Sequence, residues 1–281
     1  MARPAKKWPV PRAGKKTGIQ TRSAAKSVDI GNGLFNDSVA VEEIQKYRVD
    51  RWQFIIYVGG DPETESDPGV EPGVEHRMAD RFVMNLRILS GIDPQRPILV
   101  VVFTCGGNWD EGMQIASAIA ICPNPVTVLS MKWSRSMSSI FPLAADRFFL
   151  APFTKYMFHR GSYSTDGTDQ EAETNEEERK KAIILMHRIY AERLQSQGMH
   201  AGKSLEEIEA ILQELEHRKI DVWLDTDEAV EWGFADGVYT GDESTLRMEK
   251  VHRERRAQFI RTLRTRVILP EVRPIFKYPG E

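Results

Sequence analysis

Short apolar runs alternate with helical patterns in the middle of the chain, and this alternation limits most strongly which folds it can adopt. The runs at 52–58, 97–103 and 126–129 are rich in β-branched and aliphatic residues, as strands buried on both faces require. The first two are followed by apolar residues at helical spacing, at 75–89 and from about residue 110. Strands that alternate with helices predict an α/β fold with a largely parallel sheet.

The second half of the chain continues with helix-forming patterns. Residues 136–145 predict a short helix, and residues 156–159 predict a further strand. Residues 171–197 carry a narrow apolar stripe among many charges, which predicts a long helix that packs against a partner. Capping signals predict further helices that begin near Ser204 and Thr226.

Charge divides the chain into three regions, although the formal net charge is only −3. Residues 1–26 hold eight Lys or Arg and no acid, and residues 247–281 hold ten basic and four acidic residues. Residues 27–246 hold 20 basic and 37 acidic residues. Basic ends suit contacts with nucleic acid, an anionic surface or another subunit, but the N-terminal one lacks interleaved aromatic residues, which favours a solvated arm.

We therefore predict a domain over residues 51–240, between a basic flexible extension over 1–50 and a basic extension over 241–281. The apolar residues of 247–266 are too sparse to predict a core face. Two cysteines cannot form a disulfide framework and indicate a reducing compartment. No apolar run approaches the roughly 18 residues of a membrane span, and no apolar stretch follows the basic start. We expect a cytoplasmic protein without membrane contact.

Two loops carry residues suited to acyl-transfer chemistry. Gly106 and Gly107 follow a buried strand, where glycines let the backbone approach a ligand and turn N–H groups outward. Ser136 opens an apolar helix, where the local N–H groups suit a nucleophile that generates an oxyanion. Each feature alone also has a plain explanation, because glycine is common in tight turns and serine is a preferred helix cap.

A base and an acid complete the set. His159 ends an apolar run, and Asp221 stands in apolar sequence, where a carboxylate needs a cation or donor such as His159. The stretch at 198–204 resembles a phosphate loop but is one residue short and follows a helix, so no nucleotide or other cofactor is predicted. No metal site is predicted either, because the other histidines stand in charged sequence and are expected to face solvent: His76, His187, His200, His217 and His252.

Taken in order, these residues resemble the proteolytic subunit (ClpP) of the Clp protease family, including the Clp-like head-maturation proteases of bacteriophages. The resemblance covers about residues 51–240 and is most specific in the segment from Asp221 to Asp236. It implies a ClpP/crotonase-like spiral of β/β/α units. It also implies that residues 171–197 form a projecting handle helix through which stacked rings meet.

The resemblance also implies the site. Ser136 would be the nucleophile, His159 the general base and Asp221 the orienting acid, with the N–H groups of Gly107 and Met137 as the oxyanion hole. Residues beside these would contact substrate: Gly106, Asn108 and Arg135. The implied function is a homo-oligomeric serine endopeptidase that cleaves unfolded or flexible polypeptides. Its partner would be a separate ATP-dependent unfoldase or a phage scaffold.

Several positions depart from the family pattern. Arg135 and Ser138 stand where the family usually has Ala and Gly, Cys105 replaces a proline, and Arg160-Gly161 replaces Gln-Pro. The acidic loop at 61–74 and both basic ends have no counterpart. Two alternatives therefore stay open: a catalytically inactive ring component, and a crotonase-type acyl-CoA enzyme that shares the backbone oxyanion hole.

Overall fold

The computed structural model describes residues 39–59, 73–164, 167–247 and 250–269. Residues 1–38 of the predicted N-terminal extension, most of the acidic loop and the last twelve residues lie outside these ranges. The division into a domain and two extensions stays a prediction.

Nine strands in the described residues form two sheets. The strands are β1 (Val49–Asp50), β2 (Ile55–Val58), β3 (Ile98–Val102), β4 (Val126–Ser130), β5 (Trp133–Arg135), β6 (Arg147–Leu150), β7 (Lys155–Phe158), β8 (Val222–Leu224) and β9 (Gly237–Val238). The larger sheet has the order β1-β2-β3-β4-β6-β9, and all of its pairs are parallel except β1–β2. Every residue of β3 and β4 is buried, as their continuous apolar sequence requires. The prediction of a largely parallel sheet is confirmed.

The smaller sheet positions the candidate catalytic residues. Its order is β5-β7-β8, with β5 and β7 parallel and β8 antiparallel to β7. Ser136 follows β5 directly, His159 follows β7, and Asp221 precedes β8. Because β7 and β8 run in opposite directions, with Phe158 paired to Val222, the residues beyond this pair meet at one edge.

Seven α-helices lie wholly within the described ranges and cover the sheets, and residues 39–42 are also α-helical. They are α1 (His76–Ile92), α2 (Trp109–Ile121), α3 (Met137–Ile140), α4 (Asp169–Ser196), α5 (Leu205–Arg218), α6 (Thr226–Trp232) and α7 (Arg253–Leu263). A π-helix spans Glu43–Tyr47, and 3₁₀ segments span Phe141–Ala144 and Glu243–Leu246. Capping boxes at Thr168, Ser204 and Asp225 start α4, α5 and α6. The predicted starts of α5 and α6 are confirmed, and α4 begins two residues before the predicted 171.

Helix α4 has two unlike halves. All of its buried residues lie from Met186 onward, while the preceding turns carry ion pairs such as Glu176–Arg179 and Glu178–Lys181. The apolar stripe therefore anchors only the C-terminal half. The N-terminal half is partly or fully exposed along its length.

The C-terminal segment packs onto the core, which its sparse apolar pattern did not indicate. Phe259 of α7 is 6% exposed and joins the main core cluster. Arg256 is buried and forms an ion pair with Asp146, which is fully buried at the start of β6. Part of the positive charge of the predicted basic C-terminal extension is thus used inside the protein.

Candidate active site

Three loop regions meet at one cavity of about 1100 Å³. Its lining includes Gly107, Asn108, Ser136, Met137 and His159. Asp221 stands behind His159, and its carboxylate oxygen lies 3.0 Å from the imidazole Nδ1. The structure therefore brings together residues that are more than 80 positions apart in the sequence.

Ser136 occupies a sharp strand-to-helix turn with unusual backbone angles. Its φ is 52° and its ψ is −129°, a combination that L-residues seldom adopt. The Ser136 N–H donates to Met157 O at 3.1 Å, which ties the turn to β7. The side chain makes no capping hydrogen bond to α3, so the plain explanation of this serine as a helix cap does not hold.

Two neighbouring serines hold this turn in place. Ser138 is fully buried, and its hydroxyl donates to Arg135 O at 2.8 Å and accepts from Arg135 N–H at 3.0 Å. The Ser139 hydroxyl donates to Ser136 O at 2.6 Å and therefore accepts from the Tyr190 hydroxyl, also at 2.6 Å. The extra hydroxyl of Ser138 thus closes the turn rather than standing beside the nucleophile.

Two buried tyrosines form hydrogen bonds to Ser139 and so help to hold this turn. The Tyr156 hydroxyl donates to Ser139 O at 2.9 Å, and Tyr190 contacts Ser139 as described. Burial raises the pKa of both phenols well above the ordinary value of 10, so both stay protonated and able to donate at neutral pH. The sequence carried no signal for this role of Tyr190 beyond its place in the predicted helix over 171–197.

The His159–Asp221 contact fixes the tautomer of the neutral His159 imidazole. A carboxylate can only accept, so Nδ1 carries the proton and Nε2 of the neutral ring is left with a lone pair. The side chain of His159 is 20% exposed and that of Asp221 is 45% exposed. His159 Nε2 is buried and has no hydrogen-bond partner within the described residues, so it is not bonded to Ser136 Oγ in this structure.

The backbone of Gly106 and Gly107 lies close against the backbone of Val74. Val74 N–H donates to Gly106 O at 2.5 Å and Asn108 N–H donates to Val74 O at 2.9 Å. A Cβ on Gly107, whose φ is 150°, would lie 2.3 Å from both N and O of Val74. Because this pairing uses the groups on either side of Gly107, its own N–H takes no part in it. The N–H groups of Gly107 and Met137 have no acceptor in the described part of the chain.

Only one of the three residues predicted to contact substrate lines the cavity. Asn108 lines the cavity, whereas Gly106 and Arg135 do not. The Arg135 guanidinium lies 4.0 Å from the centre of the Trp133 ring, and its Nε donates to Cys105 O at 3.3 Å. A Cβ on Gly106 would lie 2.6 Å from Arg135 O, so this glycine allows the two loops to approach each other.

The expectation that all remaining histidines face solvent is wrong for two of them. His187 is 3% exposed, and its Nε2 lies 2.7 Å from Glu216 Oε2, which also accepts from Arg160 Nε at 3.1 Å. His200 is 6% exposed and lies edge-on to Trp232, and burial lowers its pKa. The charged sequence around both residues gave no sign of this burial, because a histidine among charges can still point inward.

No group of three or more potential metal ligands is found in the ranges that the structure describes. Within the same ranges, no helix is long and apolar enough to cross a membrane.

Comparison with known proteins shows which family this chain resembles. The family model described as Clp protease matches residues 69–242. The chain is 27% identical over 169 residues to the ATP-dependent Clp protease proteolytic subunit 2 of Thermobifida fusca, which covers 59% of this chain and 77% of that protein. It is 29% identical over 171 residues to the proteolytic subunit 1 of Chlamydia muridarum, which covers 59% of this chain and 81% of the relative.

A solved structure supports the fold. A ClpP1 mutant from Listeria monocytogenes aligns with a TM-score of 0.53 and 21% identity, over 69% of this chain and 95% of the other. The predicted α/β, ClpP/crotonase-like fold class is confirmed. With the family model matching more than half of its length, this chain belongs to the Clp protease family.

Proposed function

We propose that this protein is a serine endopeptidase of Clp type that cleaves unfolded or flexible polypeptides. The observation that carries the proposal is the position of Ser136, on a turn with positive φ, in the same cavity as a histidine whose Nδ1 is bonded to a carboxylate. That combination suits a nucleophile held exposed beside an oriented base. The Clp protease family match supports the same activity.

In the proposed reaction, His159 Nε2 takes the proton of the Ser136 hydroxyl as Oγ attacks the scissile carbonyl. The N–H groups of Gly107 and Met137 receive the oxyanion, and Asp221 stabilises the imidazolium. His159 then gives the proton to the leaving amine, and water releases the acyl-enzyme by the same steps. We expect the Ser136–His159 hydrogen bond to form with substrate bound, because catalytic hydrogen bonds commonly tighten in that complex.

The proposal includes assembly. We infer a homo-oligomeric ring chamber, with the exposed half of α4 as the element that meets another copy. The relatives named above are proteolytic subunits of ATP-dependent proteases, which supports a separate ATP-dependent unfoldase as partner; a phage scaffold is the alternative partner. Native mass measurement checks the assembly: a monomer at micromolar concentration would contradict it.

One observation favours a second candidate, a catalytically silent ring component. The lone pair of His159 Nε2 has no hydrogen-bond partner in the described chain, so the base is not yet engaged with Ser136. Covalent labelling by a fluorophosphonate probe separates the two candidates, because only an activated serine forms the adduct.

The decisive variant is Ser136→Ala. We expect it to abolish probe labelling and to lower peptide cleavage by about 10⁶-fold, since removal of a triad nucleophile leaves only binding and oxyanion stabilisation. Ser164→Ala is the matched control, because Ser164 is exposed and does not line the cavity. Labelling and cleavage that survive in Ser136→Ala would refute the assignment.

A further inference from the structure

The C-terminal segment reaches the same cavity as the candidate catalytic residues. Arg266 and Val267 lie among its lining residues, together with Ser136 and His159. The match to the Clp protease family model ends at residue 242. Part of the cavity wall is therefore supplied by chain that lies beyond the matched domain.

Helix α7 fixes the path of this segment. The Arg256 guanidinium donates to Asn124 O at 2.8 Å and pairs with the buried Asp146 carboxylate. Arg255 forms two hydrogen bonds to Asp236, at 3.1 and 3.2 Å. Charged hydrogen bonds of this kind, made in buried surroundings, hold one geometry. The helix is thus anchored at several points before the chain leaves it.

The exit from the helix is also ordered by hydrogen bonds. Arg264 N–H donates to Ile260 O at 3.2 Å, and Thr265 donates to Thr262 O and Arg261 O through its N–H and hydroxyl. These bonds satisfy carbonyls at the helix end and direct the chain toward the cavity. The position of Arg266 beside the cavity therefore follows from the anchored helix.

The cations around this wall differ in their partners. Arg179 donates to Glu176 at 2.7 and 2.9 Å, and Lys181 donates to Glu178 at 2.6 Å. Arg266 forms no ion pair or hydrogen bond within the described residues. The bond from Glu178 raises the pKa of the Lys181 ammonium, and Arg266 opposes this shift, which places the two cations within range of mutual repulsion. Asp110 and Glu111 line the same cavity, so the positive charge of Arg266 is local to the wall that it shares with Arg179 and Lys181.

We propose that the C-terminal segment completes the substrate cleft in cis and that Arg266 is a specificity-determining residue for polypeptides with an acidic side chain near the scissile bond. The guanidinium would attract a substrate carboxylate and relieve its own repulsion with Lys181. This inference rests on the proposed peptidase function. It specifies the chemical class of substrate that the cleft favours and the segment of the chain that recognises this substrate.

The test uses peptide pairs that differ only by Glu or Gln at each position on either side of the cleaved bond. With the full-length protein, we expect at least one Glu peptide to have the higher kcat/KM. Arg266→Ala should reduce that preference by about two- to five-fold, the effect of one exposed ion pair, and Arg266→Glu should reverse it. Arg264→Ala is the matched control and should leave the preference unchanged, because Arg264 is exposed in the same segment but does not line the cavity.

Two truncations add an independent arm. A chain that ends after Leu263 keeps α7 and should lose the Glu preference, whereas one that ends after Leu269 keeps Arg266 and should retain it. Thermal unfolding of each variant shows whether the fold is intact, and fluorophosphonate labelling shows whether Ser136 remains reactive.

The outcomes separate the two claims. Normal labelling and cleavage, with a preference that Arg266 and Arg264 affect equally or not at all, would overturn this inference and leave the peptidase function standing. Absence of labelling and cleavage in the unaltered protein would overturn both.

Discussion

The backbone of Ser136 is kept in a conformation that has to be stabilised by its surroundings. A non-glycine residue with a φ of 52° and a ψ of −129° costs about 1 to 3 kcal/mol relative to an ordinary conformation. The hydroxyls of Ser138 and Ser139 offset this cost by closing the turn on either side. The departures from the family pattern next to Ser136 are therefore consistent with a nucleophile that is held in place.

The role of Asp221 can be tested by a substitution that replaces one oxygen of its carboxylate by nitrogen. Asp221→Asn keeps the size of the side chain but lets its amide donate to His159 Nδ1, which favours the tautomer with the proton on Nε2. We expect kcat to fall by about 10⁴-fold, because that tautomer cannot take the serine proton. Steady-state kinetics checks this, with Asp227→Asn as an exposed control. A loss of less than tenfold would mean that Asp221 does not orient the base.

At the scale of elements, a buried charge cluster joins helices α4 and α5. Glu216 on α5 accepts from His187 on α4 and from Arg160, the residue after the candidate base. The side chains of Glu216 and His187 are only 1% and 4% exposed. A carboxylate in such surroundings requires its donors, so the helix pair depends on this contact beyond its apolar packing.

Removal of the histidine should weaken this helix pair. We expect His187→Leu to lower the free energy of unfolding by about 1.5 to 3 kcal/mol, the contribution of a hydrogen bond to a charged group. His217→Leu should change stability by less than about 0.5 kcal/mol, because His217 is exposed on the same helix as Glu216. Urea unfolding measures both, and equal effects of the two substitutions would contradict a specific role for His187.

Helices and strands with a clear pattern of apolar residues could be predicted from the sequence. Contacts between charged residues far apart in the sequence could not. The continuous apolar runs of β3 and β4 and the capping signals of α5 and α6 are local, and the structure has these elements where they were expected. The 136–145 helix instead divides into α3 and a 3₁₀ segment around Pro142, whose ring removes an N–H from the ladder. His187 and Glu216 lie 29 positions apart, and no local pattern pairs them.

The site shows the same division. The residue types and order of Ser136, His159 and Asp221 were visible, and the structure has the expected His159–Asp221 contact, although the Asp221 side chain is 45% exposed rather than buried. The inward position of the C-terminal segment was not visible, because Phe259 is the single buried apolar residue of α7. Ile260 and Leu263 are only partly buried, and the strongest further anchors are arginines. A pattern of charge cannot distinguish a solvated arginine from one that meets a buried aspartate.

At the scale of the whole molecule, Asp146 connects the centre of the sheet to the C-terminal helix. Its carboxylate accepts from Val126 N–H on β4 at 2.7 Å and from His252 N–H at 2.7 Å, and it pairs with Arg256. Asp236 plays a similar part, since it accepts from Phe148 N–H on β6 and pairs with Arg193 and Arg255. Burial opposes ionisation of Asp236, but these arginines hold its pKa below the ordinary value.

The Arg256–Asp146 pair should dominate the stability of this connection. We expect Arg256→Ala to cost about 3 to 5 kcal/mol, because it leaves a fully buried carboxylate without its cation. Arg253→Ala, at an exposed position of the same helix, should cost less than about 0.5 kcal/mol. Chemical denaturation checks the difference, and a cost below about 1 kcal/mol for Arg256→Ala would show that Asp146 finds other compensation.

The Arg256–Asp146 contact also sets an order of events during synthesis. The two residues are 110 positions apart, so Asp146 leaves the ribosome long before its cation exists. Until Arg256 emerges, the start of β6 holds a carboxylate that favours water over the interior, and the sheet cannot close around it at full stability. A nascent chain of this protein therefore completes its cavity, including the wall at Arg266, only after residue 266 has left the ribosome.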